Sequence, residues 1–102
     1  MSETQFLIMC GLIAPAHGYA IMQSIEQLTR GAVAVGPGTM YGTLKKLLRK
    51  GLIAEVAHDA ANERRILYRL TQQGREMLEQ EIDRLQALSM IGETKRSELR
   101  LN

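Results

Sequence analysis

The sequence predicts a mainly α-helical domain that carries one small β-hairpin. Three segments of the 102-residue chain repeat apolar residues at helical spacing, and a fourth is apolar on nearly every side. Residues Arg65–Leu70 instead alternate with the period of a β-strand. Proline or glycine separates the segments at Pro15, Gly31 and Gly51. A chain of this length corresponds to a single domain.

The first helix is predicted between Ser2 and Pro15. Ser2 and Gln5 have the spacing of a capping box, in which side chains satisfy free N–H groups at a helix start. The run Phe6–Ala14 that follows is apolar nearly all round, which is typical of a helix buried on several sides. Because proline cannot continue a helix, we expect this one to end at Pro15.

A second helix is expected from His17–Gly18 onward, with its end at Gly31. Its apolar positions between Tyr19 and Leu28 repeat at helical spacing, and glycine commonly stops a helix. The short run 32–35, Ala-Val-Ala-Val, is compatible with a small strand. A glycine-containing turn then leads into the third helix.

The third helix is predicted to have two distinct faces. It should begin at Pro37, which suits the first helical position, and stop at Gly51. One face is apolar and consists of Met40, Tyr41, Leu44, Leu47 and Leu48. The other positions are small or basic, namely Thr39, Gly42, Lys45, Lys46, Arg49 and Lys50. We expect the apolar face to hold the helix to the core and leave the basic face outside.

A hairpin and a long helix complete the predicted order. Residues 52–58 and 65–70 have the patterns of two strands, and the turn residues 59–63 lie between them. In the second strand, alternate side chains are apolar and indicate one buried face. Thr71 is expected to cap a last helix from about Gln72 onward.

This order of elements is that of a winged helix-turn-helix domain. Two helices are joined by a tight turn, and a two-stranded hairpin follows them. We assign the winged helix-turn-helix to residues 1–71 and a C-terminal dimerisation helix, continuous with it, to residues 72–102. In such a domain the third helix enters the major groove of DNA, which is about 12 Å wide and admits one helix.

Positive charge is concentrated in the middle of the chain. Residues 43–75 contain eight basic and three acidic residues, a net charge of +5, whereas the whole chain carries +2. Residues 1–42 hold one basic and two acidic residues, and residues 76–102 hold four basic and six acidic residues. This clustering is compatible with a nucleic-acid surface and equally with basic faces that only contact solvent.

The predicted DNA-binding surface combines the third helix with the hairpin tip. Small side chains near the helix start can approach base edges, and the helix N-terminus favours a phosphate. Arginines at the tip can contact phosphates or the minor groove. The candidate residues are Thr39, Tyr41, Gly42, Thr43, Lys45, Lys46, Arg49, Asn62, Arg64 and Arg65. For Tyr41, packing and hydrogen bonding to a phosphate both stay open.

The last helix predicts a homodimer. An apolar stripe runs along it at spacings of four, three and three residues: Leu78, Ile82, Leu85 and Leu88. Burying one such side chain contributes roughly 1.5–3 kcal/mol, so an uncovered stripe is unfavourable in water. A second copy of the helix is the simplest cover, and the alternative is a helix folded back onto its own domain. Gly92 and the polar residues 93–102 indicate that the end of the helix frays.

Three motifs occur along the chain in a characteristic order. They are His17-Gly18-Tyr19, then Pro37-Gly38-Thr39-Met40-Tyr41, then Tyr68-Arg69-Leu70-Thr71-Gln72-Gln73-Gly74. Over roughly residues 5–80 the sequence resembles the PadR family of bacterial transcriptional regulators. The resemblance implies a homodimeric repressor or activator that binds a palindromic duplex operator, with the third helix in the major groove and the hairpin as wing.

The resemblance also bears on dimerisation and ligands. It implies that the last helix pairs the subunits, and some members of the family respond to small hydrophobic effectors in the dimer space. Residues 72–102 contain no aromatic side chain on which a flat effector would stack.

The sequence does not favour catalysis, metal binding or membrane insertion. Cys10 lies in the most apolar run and is predicted to be a buried, unreactive thiol, and a lone cysteine suits a reducing compartment. His17 is expected to cap or pack, and His58 beside Asp59 is not a metal site. The longest apolar run is far shorter than the about 20 residues of a membrane span. We therefore expect a cytoplasmic protein that is no enzyme and has no cofactor.

Two other functions stay open at this point. A winged helix can serve as a protein-interaction module that never contacts DNA, but such a module would present an apolar or acidic third helix. A sensor whose main role is to bind a small ligand would differ from a constitutive DNA-binding protein only by its effector.

Overall fold

The computed structural model describes residues 1–57 and 66–101. Within these ranges the elements are α1 (Glu3–Cys10), α2 (Gly18–Leu28), α3 (Pro37–Arg49), β1 (Ile53–Ala57), β2 (Leu67–Leu70) and α4 (Gln72–Leu101). This is the mainly helical fold with one antiparallel hairpin and a long last helix that the sequence predicts. No helix in the described ranges combines the length and the apolarity that crossing a bilayer requires.

Helix α1 starts as predicted and ends early. The Ser2 hydroxyl accepts a hydrogen bond from the backbone N–H of Gln5 at 3.1 Å. The helix ends at Cys10, well before Pro15. The backbone after the helix is extended at Ala16 and pairs with β2, because Ala16 and Tyr68 exchange two hydrogen bonds, at 3.0 and 2.9 Å. The end at Pro15 expected from the sequence is therefore wrong, and the cause is pairing with a distant strand.

Between α2 and α3 the chain forms a turn rather than a strand. Gly31 has a φ of +79°, a left-handed conformation that ends the helix region. The Thr29 hydroxyl accepts a hydrogen bond from the N–H of Val33 at 3.1 Å and donates to the carbonyl of Ile25 at 2.8 Å. The segment 32–35 thus bonds back to the end of α2, and the strand that its composition allowed is not formed.

The hairpin packs one face against the helices. Strand β1 pairs antiparallel with β2, with Ile53 opposite Leu70 and a register shift between Glu55 and Ala57. Tyr68 and Leu70 are buried, as the alternation predicts. The hairpin tip, residues 58–65, lies outside the described residues.

The hydrophobic core is almost entirely aliphatic. It lies between α1, α2, α3 and the hairpin, and the first turns of α4 close it. Its buried members are Ile8, Met9, Leu12, Ile21, Ile25, Met40, Leu44, Leu47, Leu52, Ile53, Tyr68, Leu70 and Leu78.

Helix α4 is anchored to the turn between α3 and β1. The Thr71 hydroxyl caps the helix by accepting from the N–H of Gly74 at 3.1 Å, and it donates to the carbonyl of Gly51 at 2.7 Å. Gly74 lies so close to the carbonyl oxygen of Leu52 that an added Cβ would overlap it. The start of α4 is therefore fixed relative to the end of α3.

Helix α4 continues without a break to Leu101, over 30 residues. At about 1.5 Å per residue this is roughly 45 Å, which exceeds the two shorter extents of the molecule, 28 and 19 Å. The prediction that the helix frays beyond Gly92 is wrong. Ion pairs between Arg96 and Glu93 at 2.7 Å and between Lys95 and Glu98 at 3.1 Å join successive turns of its far end.

Candidate nucleic-acid interface

Helix α3 presents a surface opposite the core that we call the outward face. Met40, Leu44 and Leu47 are buried and define the core side of the helix. The positions opposite them are all exposed and are spaced by four, three and four residues: Gly38, Gly42, Lys45 and Arg49. The outward face therefore has a bare backbone near the helix start and two cations toward its end.

The outward face is open and positively charged. No protein atom of the described ranges lies within 4 Å of the points where Gly38 or Gly42 would carry a Cβ. Among the described residues, no carboxylate lies within 4 Å of the Lys45 ammonium or the Arg49 guanidinium. A polyanion can approach the backbone closely here and meet two cations that have no counter-ion within residues 1–57 and 66–101.

The helices of the domain differ in how they begin. Ser2 and Thr71 cap α1 and α4 with their hydroxyls. Helices α2 and α3 begin at His17 and Gly36, and neither start has a side-chain cap within the described residues. The first-turn N–H groups of α2 and α3 thus have no side-chain acceptor, which suits an external anion. His17 was expected to cap or pack, and it does not cap.

Tyr41 occupies the flank of α3 that faces α2. A Cβ added at Gly18 would lie 2.9 Å from the Tyr41 hydroxyl, so the ring packs across the first residue of α2. Tyr19, Met22 and Pro37 line an apolar groove together with this ring. Of the two roles left open for Tyr41, packing is present in the structure, and its hydroxyl lies at the uncapped start of α2.

The structure places the predicted DNA-binding residues on different parts of the surface. Thr39, Gly42, Lys45, Lys46 and Arg49 are exposed on α3, and Thr43 is half-buried. Lys46 does not share the outward face, because it lies on the opposite flank from Tyr41, toward α4. The predicted wing residues Asn62, Arg64 and Arg65 fall outside the described residues.

Sequence reasoning missed two residues of this region. Gly38 completes the outward face, and its spacing to Gly42, Lys45 and Arg49 was readable from the helical period. Tyr19 is 63% exposed beside the start of α2 and was taken for an apolar core position. Its position at the helix start was readable from the sequence, but its exposure depends on how α2 packs against the core.

Cys10, expected to be a buried thiol, is half-buried against the hydrophobic core. Burial raises the pKa of the Cys10 thiol, which keeps it protonated. Among the described residues no three side chains of His, Cys, Asp or Glu come together in a way that would hold a metal ion.

The apolar stripe of α4 is covered only at its start. Leu78 is 4% exposed because it belongs to the hydrophobic core of the chain, so it differs from the other three residues expected at a dimer interface. Ile82, Leu85 and Leu88 are 44%, 38% and 51% exposed. Beyond Leu78 the apolar stripe is therefore exposed. Helix α4 does not fold back onto the rest of the domain, which was the alternative to pairing.

A buried carboxylate lies beside this stripe. Glu81 is only 7% exposed, and its side chain accepts two hydrogen bonds from the Arg84 guanidinium, one of them 3.0 Å from Nη2. The Met1 amine lies 3.6 Å away. Hydrogen bonding to Arg84 holds the pKa of Glu81 below its usual range. Glu81 is therefore charged, and it fixes the direction of the Arg84 side chain.

The sequence is similar to known transcriptional regulators. The sequence profile described as "Transcriptional regulator PadR-like family" matches residues 8–80. An uncharacterized 37.1 kDa protein in transposon TN4556 of Streptomyces fradiae is 37% identical over 89 residues, which are 86% of this chain and 24% of that protein. The transcriptional regulator YqjI of Escherichia coli is 32% identical over 73 residues, 72% of this chain and 34% of that protein. The chain thus spans about a quarter to a third of the length of these relatives.

Solved structures share the fold. A PadR family transcription regulator of Clostridium difficile has a TM-score of 0.70 at 27% identity, over 96% of this chain and 99% of that one. A transcriptional regulator of Clostridium thermocellum has a TM-score of 0.76 at 22% identity, over 88% and 89%. BpsR of Bordetella bronchiseptica, whose DNA binding is regulated by 6-hydroxynicotinic acid, has a TM-score of 0.71 at 21% identity, over 88% and 63%.

Proposed function

Because this chain belongs to the transcriptional regulator PadR-like family, we propose that it represses transcription by binding a palindromic duplex operator as a homodimer. The outward face of α3 is the observation that carries this proposal. It combines exposed backbone at Gly38 and Gly42 with two cations, Lys45 and Arg49, that have no counter-ion in the described part of the chain.

The outward face fits the major groove. Gly38 and Gly42 allow the helix backbone to approach base edges. Thr39 lies beside them, on the flank of α3 that also carries Lys46, and has a short hydroxyl that can donate or accept. Lys45 and Arg49 follow one and two turns later, where a lysine or arginine can reach guanine or a phosphate. The outward face of α3 thus consists of basic and small residues, rather than the apolar or acidic residues that a protein-interaction module would present.

Phosphate contacts would fix the helix in the groove. The uncapped starts of α2 and α3 have N–H groups that can donate to phosphates of the DNA backbone. The Tyr41 hydroxyl lies at one of these starts and can donate to the same phosphate. We assign the wing residues Asn62, Arg64 and Arg65 to the backbone or the adjacent minor groove on sequence grounds.

The uncovered stripe of α4 supports the homodimer. Ile82, Leu85 and Leu88 lie along one side of a helix that extends beyond the domain. A second copy of this helix would cover the stripe around a two-fold axis. A dimer of this kind presents two recognition helices to successive major grooves, about 34 Å apart, which is why the operator should be palindromic.

The proposal is tested by a fluorescence titration with duplex DNA from the promoter region of the protein's own gene. The logarithm of the binding constant should fall linearly with the logarithm of the salt concentration. Lys45→Ala and Arg49→Ala should each weaken binding by about 1–3 kcal/mol. Lys95→Ala and Arg100→Ala remove the same charges from the far end of α4 and serve as matched controls. Equal weakening by both pairs, or no salt dependence, would contradict the proposal.

A further inference from the structure

An apolar groove between α2 and α3 opens beside the outward face of α3. It has a volume of about 530 Å³, and its described walls are Tyr19, Met22, Pro37 and Tyr41. We call it the tyrosine groove. None of these four side chains carries a charge. The contacts proposed for the outward face use backbone and cations, so they leave the apolar walls of the groove without a role.

The groove leaves aromatic surface in contact with solvent. Tyr19 is 63% exposed and Tyr41 is 38% exposed, whereas Met22 is partly buried against the core. A single exposed apolar side chain is common on protein surfaces, but here two rings and a proline share one concave patch. Removing apolar surface from water is favourable in proportion to its area. An occupant with an apolar surface would therefore be stabilised between the two rings.

The two walls of the groove are held together at Gly18. The Tyr41 ring packs across this residue, and a Cβ added there would lie 2.9 Å from the ring. Tyr19 follows Gly18 directly in α2, and Tyr41 lies about one turn after Pro37 in α3. The distance between the walls is therefore set by the contact of α2 with α3, before anything binds.

Each wall of the groove carries the start of a helix. Tyr19 is the second residue of α2, and Pro37 is the first residue of α3. Within the described residues neither start has a side-chain cap, and the free N–H groups and the helix dipole favour an anion at both. The surface thus alternates between an anion-favouring start, an apolar groove and a second anion-favouring start.

This alternation matches the backbone of a DNA strand, in which a deoxyribose follows each phosphate. The faces of the sugar ring consist mainly of C–H groups and suit aromatic walls, and the flanking phosphates suit the helix starts. A free anion would gain nothing from the rings, and a purely apolar ligand would gain nothing from the starts. The groove is also continuous with the outward face, because Pro37 and Tyr41 enclose Gly38 in the first turn of α3.

We propose that the tyrosine groove holds one deoxyribose of the operator, while the starts of α2 and α3 hold the phosphates on either side of it. Tyr19 contributes mainly through its ring. The contact is the same for every base sequence, so Tyr19 is a positioning residue that fixes α3 in the groove without selecting bases. This inference rests on the proposed function, because it requires the outward face of α3 to lie in the major groove.

Tyr19→Ala tests the groove, and Leu28→Ala is its matched control. Both side chains are 63% exposed and lie near opposite ends of α2. In a fluorescence titration, Tyr19→Ala should weaken operator binding about tenfold, as expected for the partial burial of one aromatic side chain. Leu28→Ala should leave the affinity unchanged. Tyr19→Phe keeps the ring and should be weakened less than Tyr19→Ala. Thermal unfolding shows that each variant is folded.

Two further measurements separate a contact with the sugar from contacts with bases or phosphates. Tyr19→Ala should weaken a duplex of scrambled sequence by the same factor as the operator, since the sugar is common to both. It should also leave the slope of the logarithm of the binding constant against the logarithm of the salt concentration unchanged, because a neutral ring releases no counter-ion. Lys45→Ala removes a cation and should reduce this slope.

The proposal is overturned if Tyr19→Ala binds the operator as tightly as Leu28→Ala does, or if Tyr19→Phe is weakened as much as Tyr19→Ala. A loss on the operator that exceeds the loss on the scrambled duplex would place a base in the groove, and a reduced salt slope would place a phosphate there. Either result also overturns it. The proposed function fails in a different way, since Lys45→Ala and Arg49→Ala would then bind the operator as the parent does.

Discussion

Gly42 lies in the middle of the outward face of α3, where helix stability favours alanine and the proposed DNA binding favours glycine. Alanine is preferred to glycine in a helix by up to about 1 kcal/mol, and nothing in the described ranges lies within 4 Å of the added methyl group. In the proposed complex the same methyl group would stand between the helix backbone and the DNA. Gly42→Ala should therefore raise the melting temperature and lower operator affinity. Thermal unfolding and fluorescence titration measure the two effects. An unchanged operator affinity would show that Gly42 does not contact the DNA.

The ionisation of Glu81 makes the stability of the protein depend on pH. Its pKa is lowered mainly by the hydrogen bonds from Arg84, so its contribution is present above the usual pKa of a glutamate and is lost as the pH falls through the lowered value. Glu81→Gln should melt at a lower temperature than the parent near pH 7. The difference should shrink as the pH falls below the usual carboxylate range. Melting curves of both proteins between about pH 7 and about pH 3 check this, and a constant difference would contradict it.

At the scale of elements, the docking of α4 depends on the contact between Gly74 and Leu52. Helix propensity alone predicts that Gly74→Ala is stabilising, but the added Cβ would overlap the Leu52 carbonyl oxygen. Relieving this overlap must move the first turn of α4 away from the end of α3. We expect a loss of about 2 kcal/mol or more in the free energy of unfolding. Urea denaturation of Gly74→Ala and Gly42→Ala should give changes of opposite sign, and a gain for both would refute the contact.

The elements that local patterns fix were predictable from the sequence. Helix α3 is set by Pro37, by its apolar repeat and by Gly51, and β2 is set by strict alternation. The predictions fail where hydrogen bonds to groups outside the segment determine its conformation. Helix α1 stops early because Ala16 pairs with Tyr68, and the strand proposed at 32–35 is replaced by hydrogen bonds to the Thr29 side chain. The hydrophobic pattern of a segment does not show which residue outside it, Tyr68 or Thr29 in these two cases, will form hydrogen bonds with it.

The candidate site shows the same division. The spacing of Lys45 and Arg49 gives their common face directly, since a helical period is a property of the sequence. The separation of Lys46 from that face depends on where α4 packs, and the burial of Leu78 depends on how far the core extends. Both follow from the position of whole elements, which residue spacing does not specify.

At the scale of the whole molecule, the proposed pairing through the stripe of α4 can be tested separately from folding. Leu85 is half-exposed along the stripe, whereas Met90 is 66% exposed on another side of the same helix. A lysine at position 85 would place a charge in the proposed interface, and leaving it unpaired there is costly. Leu85→Lys should therefore produce a folded monomer with weak operator binding, because one half-site remains for each subunit.

Met90→Lys adds the same charge away from the stripe and should remain a dimer that binds the operator normally. Sedimentation equilibrium gives the mass of each variant, and thermal unfolding shows that the domain is intact. Leu78→Ala completes the comparison: since Leu78 lies in the hydrophobic core of the chain, this change should cost about 2–5 kcal/mol of stability. If Leu85→Lys and Met90→Lys have the same mass and affinity, the subunits do not pair through this stripe, and the two recognition helices must be related by some other surface.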